Sequence, residues 1–207
     1  PSTVKSIGYN AFYGCSALTE ITLPRGVSVS SHAFDDCTSL QAVYAPDSVN
    51  FKATSDYYSI FSGTNTTLFI TKDTGCISSE YLYSYGNTKY GYGRQYGIKK
   101  IVVEEGITEI GTAAFKVNTT SSKYNTVTEI VLPSTVVKIG ASAFEDSAAA
   151  KITMPAGDPE IAAEIGGSAF QGCGNLTAIK VPEGIVTLNS STFSGCSSLR
   201  SVSLPST

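Results

Sequence analysis

A solenoid of short parallel strands is the fold this sequence predicts, and three observations predict it. A phrase recurs in register, a landmark phenylalanine returns at a nearly fixed period, and a two-residue alternation closes each repeat. The phrase is Ile7-Gly8-Tyr9-Asn10-Ala11-Phe12-Tyr13-Gly14-Cys15-Ser16-Ala17-Leu18-Thr19-Glu20-Ile21-Thr22-Leu23-Pro24, or I-G-x-x-A-F-x-x-C-x-x-L-x-x-I-x-L-P. It returns as Ile165-Gly166-Gly167-Ser168-Ala169-Phe170-Gln171-Gly172-Cys173-Gly174-Asn175-Leu176-Thr177-Ala178-Ile179-Lys180-Val181-Pro182. Self-similarity at a fixed period is the signature of a stacked-repeat architecture.

The landmark falls at Phe12, Phe34, Phe61, Phe115, Phe144, Phe170 and Phe193. Phe12 to Phe34 is 22 residues and Phe170 to Phe193 is 23. That unit lies within the roughly 20–29 residues of leucine-rich repeats. The 54 residues from Phe61 to Phe115 accommodate two units, the second without Ala-Phe. The expected architecture is therefore a leucine-rich-repeat solenoid of about eight coils over residues 1–207, with parallel strands on one side and irregular or short helical return segments on the other.

Each element has a reason. Ile21-Thr22-Leu23 alternates as a short strand with one buried face. Pro24 ends the strand, Val4 and Ile7 begin the return side, and Gly8 suits a tight turn. Ala11 and Phe12 plug the coil interior, small beside large. The second coil follows the same order around Ala33-Phe34, and the third is degraded, with an insertion near 51–58 before Leu68-Phe69-Ile70. The fourth has Cys76, a short helix expected from Ser79 through Tyr85, and a Tyr/Gly-rich loop, together an insertion near 71–97. The fifth inserts residues 116–125; the sixth has Ser147 where others have Cys; the seventh and eighth are regular. Pro1-Ser2-Thr3-Val4 matches Pro133-Ser134-Thr135-Val136, and the last residues open another unit, so a piece of a longer array is expected.

These units resemble the BspA-like leucine-rich repeat family, through Ile7 to Pro24, Ile165 to Pro182 and the partial copies between. The resemblance implies a surface or secreted protein used for adhesion to matrix proteins or other cells, hence an extracellular or cell-surface location. It gives no guide to the Tyr-rich fourth unit.

Composition narrows the classes. Net charge is −3 over 207 residues, which gives no electrostatic case for nucleic acid or an anionic membrane. Charged residues are 15%, below the roughly 25% usual for soluble domains. No apolar run approaches the roughly 18 residues of a membrane span. No cofactor, metal site or catalytic set is expected, and a monomer is favoured.

Cys15, Cys37, Cys173 and Cys196 each follow a landmark Phe by three residues and share one column, which fits buried packing. A disulfide between Cys15 and Cys37 is a less favoured alternative. Cys76 is expected to be a buried thiol. His32 sits where other units have Asn10, Ala113, Ser142 and Ser168, a surface turn with no oriented catalytic partner indicated. Asp35-Asp36, Glu104-Glu105 and the group Asp158, Glu160 and Glu164 are expected to be solvated turn charges, a weak Ca2+ site at the last being the alternative.

Function is expected at outward positions. Alternation turns Tyr44, Phe69, Val102 and Val131 out of successive strands, forming an apolar patch in mid-array. The fourth unit adds Tyr81, Tyr83, Tyr85, Tyr90, Tyr92 and Tyr96. Tyr with Ser, Gly and Asn is a paratope-like composition. The expected partner is a protein or glycan; the competing readings are an insertion that folds over and covers the patch and local packing of the tyrosines, and a spacer displaying another domain is the alternative function.

Overall fold

The computed structural model describes residues 3–51, 59–82, 84–85, 96–118 and 126–206. Among the described residues there are sixteen short strands: β1 (Ser6–Ile7), β2 (Glu20–Thr22), β3 (Ser28–Val29), β4 (Ala42–Pro46), β5 (Thr66–Thr71), β6 (Cys76–Ile77), β7 (Ser84–Tyr85), β8 (Ile98–Val103), β9 (Glu109–Ile110), β10 (Val117–Asn118), β11 (Glu129–Val131), β12 (Lys138–Ile139), β13 (Lys151–Thr153), β14 (Glu164–Ile165), β15 (Ala178–Lys180) and β16 (Ser201–Ser203). The pairs named below are all parallel. The front sheet runs β2-β4-β5-β8-β11-β13, and β15 pairs with β16 beyond it. The return side carries β6-β9-β12-β14, the pair β1-β3, and a third pair, β7-β10. Eight front strands make a parallel solenoid of about seven full turns.

The interior is a column of rings. Phe12 stacks on Phe34 at 5.2 Å and Phe34 on Phe61 at 5.6 Å. The column resumes with Phe115 on Phe144 at 5.5 Å, then Phe170 and Phe193 at 5.4 Å steps. The amides of Phe12, Phe34, Phe115, Phe144 and Phe170 are tied to the adjacent coil: Phe144 N–H donates to Ala169 O at 2.8 Å, and Phe115 N–H to Ala143 O at 2.8 Å. Ring stacking and backbone pairing therefore share one spacing, which is why the phrase must recur in register.

The fourth coil departs from expectation in two ways. Residues Ser79 to Leu82 form a turn and Ser84–Tyr85 a strand, and no helix occurs among the described residues. The Ala-Phe landmark is also present in altered form, as Tyr81-Leu82. Leu82 N–H donates to Ala114 O at 2.7 Å, the bond that Phe makes in other coils, and Glu80 N–H donates to Thr112 O at 3.0 Å. Leu82 is fully buried, 21 residues after Phe61. The larger Tyr81 compensates for the smaller Leu82. Its ring meets Phe51 edge-on at 5.3 Å and Phe115 at 6.5 Å, bridging the gap in the aromatic column.

The residue two before each landmark is left-handed in seven coils: Asn10, His32, Glu80, Ala113, Ser142, Ser168 and Ser191 have φ between 52 and 58°. The surface turn expected at His32 is thus a left-handed turn repeated up the stack.

The glycine of Ile-Gly has a different cause from the expected turn. Gly8 has no positive φ and open space around it. A Cβ on Gly111 would lie 2.6 Å from Ile77 O, on Gly140 2.6 Å from Thr112 N, and on Gly166 2.4 Å from Ala141 N. Glycine is required because each coil lies directly on the backbone of the previous one. End coils show the converse. Val202 is 40% exposed and Leu204 63%, where the matching Ile179 and Val181 are 4% and 1%. Each coil buries its apolar set only against neighbours.

Gly140→Ala is expected to destabilise this chain by about 1–3 kcal/mol through overpacking. Gly8→Ala should stay within about 0.5 kcal/mol. Urea unfolding of both variants checks the contrast.

Candidate binding face

The front strands pair in a register that builds two outward columns. One is Glu20, Ala42, Thr67, Lys100, Glu129 and Lys151; the other is Thr22, Tyr44, Phe69, Val102, Val131 and Thr153. The alternating inward residues Val43, Leu68, Ile101 and Ile130 are fully buried, which fixes the facing of the rest. Tyr44, Phe69, Val102 and Val131 thus stand side by side on four consecutive strands, each half-buried.

Tyr44 and Phe69 stack at 4.9 Å with their planes 15° apart. That separation equals the strand spacing, so the ring faces point along the stack and the edges point outward. Beside this ridge runs an ion-pair ladder. Lys100 Nζ reaches Glu129 at 2.9 Å and Lys151 Nζ reaches it at 3.0 Å. Hydrogen bonds from Lys100 and Lys151 hold the Glu129 carboxyl below its usual range. The face is an apolar ridge with an alternating charged flank, and it presents no aligned nucleophile and base.

The tyrosines expected beside it separate. Tyr81 is 4% exposed and donates its hydroxyl to Pro46 O at 3.0 Å; it is a core residue and not a surface contact. Burial raises the Tyr81 phenol well above its ordinary pKa. Tyr96 is half-buried. The backbone of Tyr85 pairs with Asn118 in β7-β10. Tyr83, Tyr90 and Tyr92 lie outside the described residues, as does the side chain of Tyr85.

Other expectations need correction. Asp35 is 4% exposed and is no solvated turn charge. Its carboxylate pairs with His32 Nδ1 and accepts Ser59 Oγ–H at 2.7 Å and Ser62 N–H at 2.7 Å. His32 therefore does have an oriented carboxylate partner. The hydroxyl of Ser59 goes to that same carboxylate and not to the imidazole, so the group staples two coils and lacks the order of a nucleophilic triad. Asp47, 2% exposed, does likewise, accepting from Thr74 N–H, Thr74 Oγ–H and Gly75 N–H. Asp36, Glu104, Glu105, Asp158, Glu160 and Glu164 are exposed.

Among the described residues no group of three or more His, Cys, Asp or Glu is placed to hold a metal ion, and no helix is long and apolar enough to cross a membrane. All five cysteines are free thiols. Cys37, Cys173 and Cys196 each donate at 3.1 Å to the carbonyl of the preceding coil's landmark, Phe12, Phe144 and Phe170. Cys37 and Cys173 are buried, Cys196 is half-buried and Cys15 is exposed. Cys76 is also only half-buried, because β6 places it in an outward column beside Glu109 and Lys138.

Two changes test these placements. Tyr81→Phe keeps the ring and leaves Pro46 O without its donor, and should cost about 0.5–1.5 kcal/mol in denaturant unfolding. Glu129→Gln removes an exposed ion-pair ladder and should cost under about 1 kcal/mol, vanishing near 1 M salt. Because the folded pKa of Glu129 is depressed, its contribution is complete above the usual carboxylate range and is lost as pH falls through the lowered value. A pH series of midpoints for Glu129→Gln against the parent reads that difference.

No curated protein matches the chain. Among solved structures, a leucine-rich cell-surface protein from Faecalibacterium prausnitzii A2-165 is similar at 17% identity and TM-score 0.37, over 99% of this chain and 52% of that one. A leucine-rich repeat protein from Bacteroides ovatus ATCC 8483 is similar at 20% identity and TM-score 0.28, over 97% and 64%. The pneumococcal vaccine antigen PcpA is similar at 14% identity and TM-score 0.30, over 91% and 66%. This chain thus spans between about half and two thirds of their lengths. The profile of the BspA-type leucine-rich repeat region matches residues 1–120 and 117–207 in six copies, and the chain belongs to that family.

Proposed function

We propose that this chain is a non-enzymatic binding module of a secreted or cell-surface protein, and that it engages a partner protein through the front ridge Tyr44, Phe69, Val102 and Val131. The observation that supports it is the unbroken apolar column on four consecutive strands, flanked by the Lys100–Glu129–Lys151 ladder. Such a stripe with a polar rim suits an apolar protein segment. Ring geometry favours protein over glycan. Sugars pack on ring faces, and the faces of Tyr44 and Phe69 are turned towards each other and towards adjacent strands. The surface location rests on family membership and on a composition with few charges and many hydroxyl side chains.

The Tyr-rich insertion belongs to the proposal as a flank. In sequence it precedes β8, the strand that presents Val102, and the proposal takes Tyr83, Tyr85, Tyr90 and Tyr92 as further contacts. A spacer that displays another domain is the alternative, supported by the continuity of the ring column.

The test is retention of this chain on immobilised extracellular-matrix proteins, with a glycan array in parallel. Tyr44→Ser/Phe69→Ser should weaken retention about tenfold or more with the thermal midpoint little changed. Replacing Tyr83, Tyr85, Tyr90 and Tyr92 by Ser should weaken it further. Undiminished retention of the first variant would remove the ridge from the account, and binding confined to the glycan array would reverse the choice of partner.

A further inference from the structure

The third and fourth coils meet in front and part behind. In front, β5 pairs with β8 from Thr67 to Ile70 without a shift. Behind, the third coil offers Asn50, which bridges back to Ser28, and the fourth offers β6, which pairs forward with β9. Among the described residues no strand pair joins Asn50 to β6. The Cys76 N–H turns instead to Thr74 Oγ of its own coil at 3.2 Å. Ser78 holds the place of the buried Gly111 of the next coil, and it is exposed.

The parting leaves a cleft of about 330 Å³. That is the lower end of the size range of small-ligand sites. Phe51 and Tyr81, edge-on to each other at 5.3 Å, are its buried apolar walls. Ser48, Ser78 and Ser79 line it with hydroxyls. Asp47 and Glu80 line it with carboxylates, and among the described residues no Lys, Arg or His does so.

Neither carboxylate is neutralised. Asp47 is 2% exposed, and its bonds come from neutral donors: Thr74 N–H at 2.8 Å, Thr74 Oγ–H at 3.0 Å and Gly75 N–H at 2.7 Å. Among the described residues no cation pairs with Asp47 or with Glu80. Glu80 stands in the left-handed turn, at φ 57°, where other coils have Asn, His, Ala or Ser. That backbone favours Asn, so conformational preference does not account for a Glu. Two uncompensated carboxylates in a cleft partly shielded from water attract a cation more strongly than exposed ones do.

We propose that this return-side cleft binds a protonated amino sugar, with the ammonium at Asp47 and Glu80 and the sugar hydroxyls at Ser48, Ser78 and Ser79. A simple amine would use the carboxylates and leave the wall hydroxyls unused. A neutral sugar would leave the charges uncompensated. The cleft is separate from the front ridge, and the proposal rests on none of the ridge's properties.

Glucosamine is the probe, titrated into the intact 15N-labelled chain at about pH 6, where its amine is protonated. Saturable shifts are expected at the amides of Ser78, Ser79 and Glu80, with Tyr44 and Phe69 unmoved. Glucose and N-acetylglucosamine lack the charge and methylammonium lacks the hydroxyls, so each should bind about tenfold more weakly or worse. Glu80→Gln keeps the shape of an exposed side chain and should weaken glucosamine about two- to fivefold. Asp47→Asn should weaken it about tenfold or more. The Glu80 variant and the three analogues decide the matter if Asp47→Asn does not fold. Absence of saturation, shifts centred on the front ridge, equal binding of glucose or methylammonium, or unchanged affinity in Glu80→Gln would overturn the proposal.

Discussion

Backbone lying directly on backbone is the contact from which the rest of the molecule follows. Gly111, Gly140 and Gly166 each donate N–H at 2.8 Å to the isoleucine carbonyl of the preceding coil, Ile77, Ile110 and Ile139. A methyl group at any of the three would strike that neighbour's backbone. With the coils held this close, the landmark rings must stack, the inward strand residues must interlock, and the outward residues must fall into columns. The front ridge is a product of this spacing: four apolar side chains from distant parts of the chain become neighbours because their coils share one register. The burial pattern of the same stack also sets the cysteines in line.

Polar groups reinforce the spacing where the apolar phrase weakens. The third coil lacks a clean repeat, and there the carboxylate of Asp35 reaches across to Ser59 and Ser62. The fourth begins with a long departure, and Asp47 caps it at Thr74 and Gly75. Both carboxylates are buried and each accepts at least three hydrogen bonds or ion pairs, which is what makes a buried charge tolerable. Acidic residues that look alike in the sequence therefore divide into staples and solvated charges according to whether the next coil offers donors.

Much of this was legible in the sequence. Period, strand alternation and the Phe column dictated the solenoid, and alternation alone turned Tyr44, Phe69, Val102 and Val131 outward. Tyr81-Leu82 was hidden because Leu replaces Phe and Tyr replaces Ala, so the ring moves to the first position of the pair and the letters change. The signal was positional: Ile77 to Leu82 has the same separation as Ile7 to Phe12. A run of tyrosines suggested an exposed cluster, yet the first of them fills the core, since a ring buries well if its hydroxyl finds a carbonyl. The glycine of Ile-Gly read as a turn residue because only the stacked coil reveals its close contact. The buried state of Asp35 was illegible for the same reason, as its donors Ser59 and Ser62 lie more than twenty residues away.

The claim that holds these pieces together is that the fourth coil, despite its lost landmark, stacks like the others and carries the ridge across the middle of the array. Residue-resolved hydrogen exchange on the native chain tests it most directly. The amides of Glu80 and Leu82, bonded to Thr112 O and Ala114 O, should be protected to the same degree as those of Ser142 and Phe144 in the regular sixth coil. Exchange of Glu80 and Leu82 at the rate of an unstructured peptide, with Ser142 and Phe144 protected, would contradict the account.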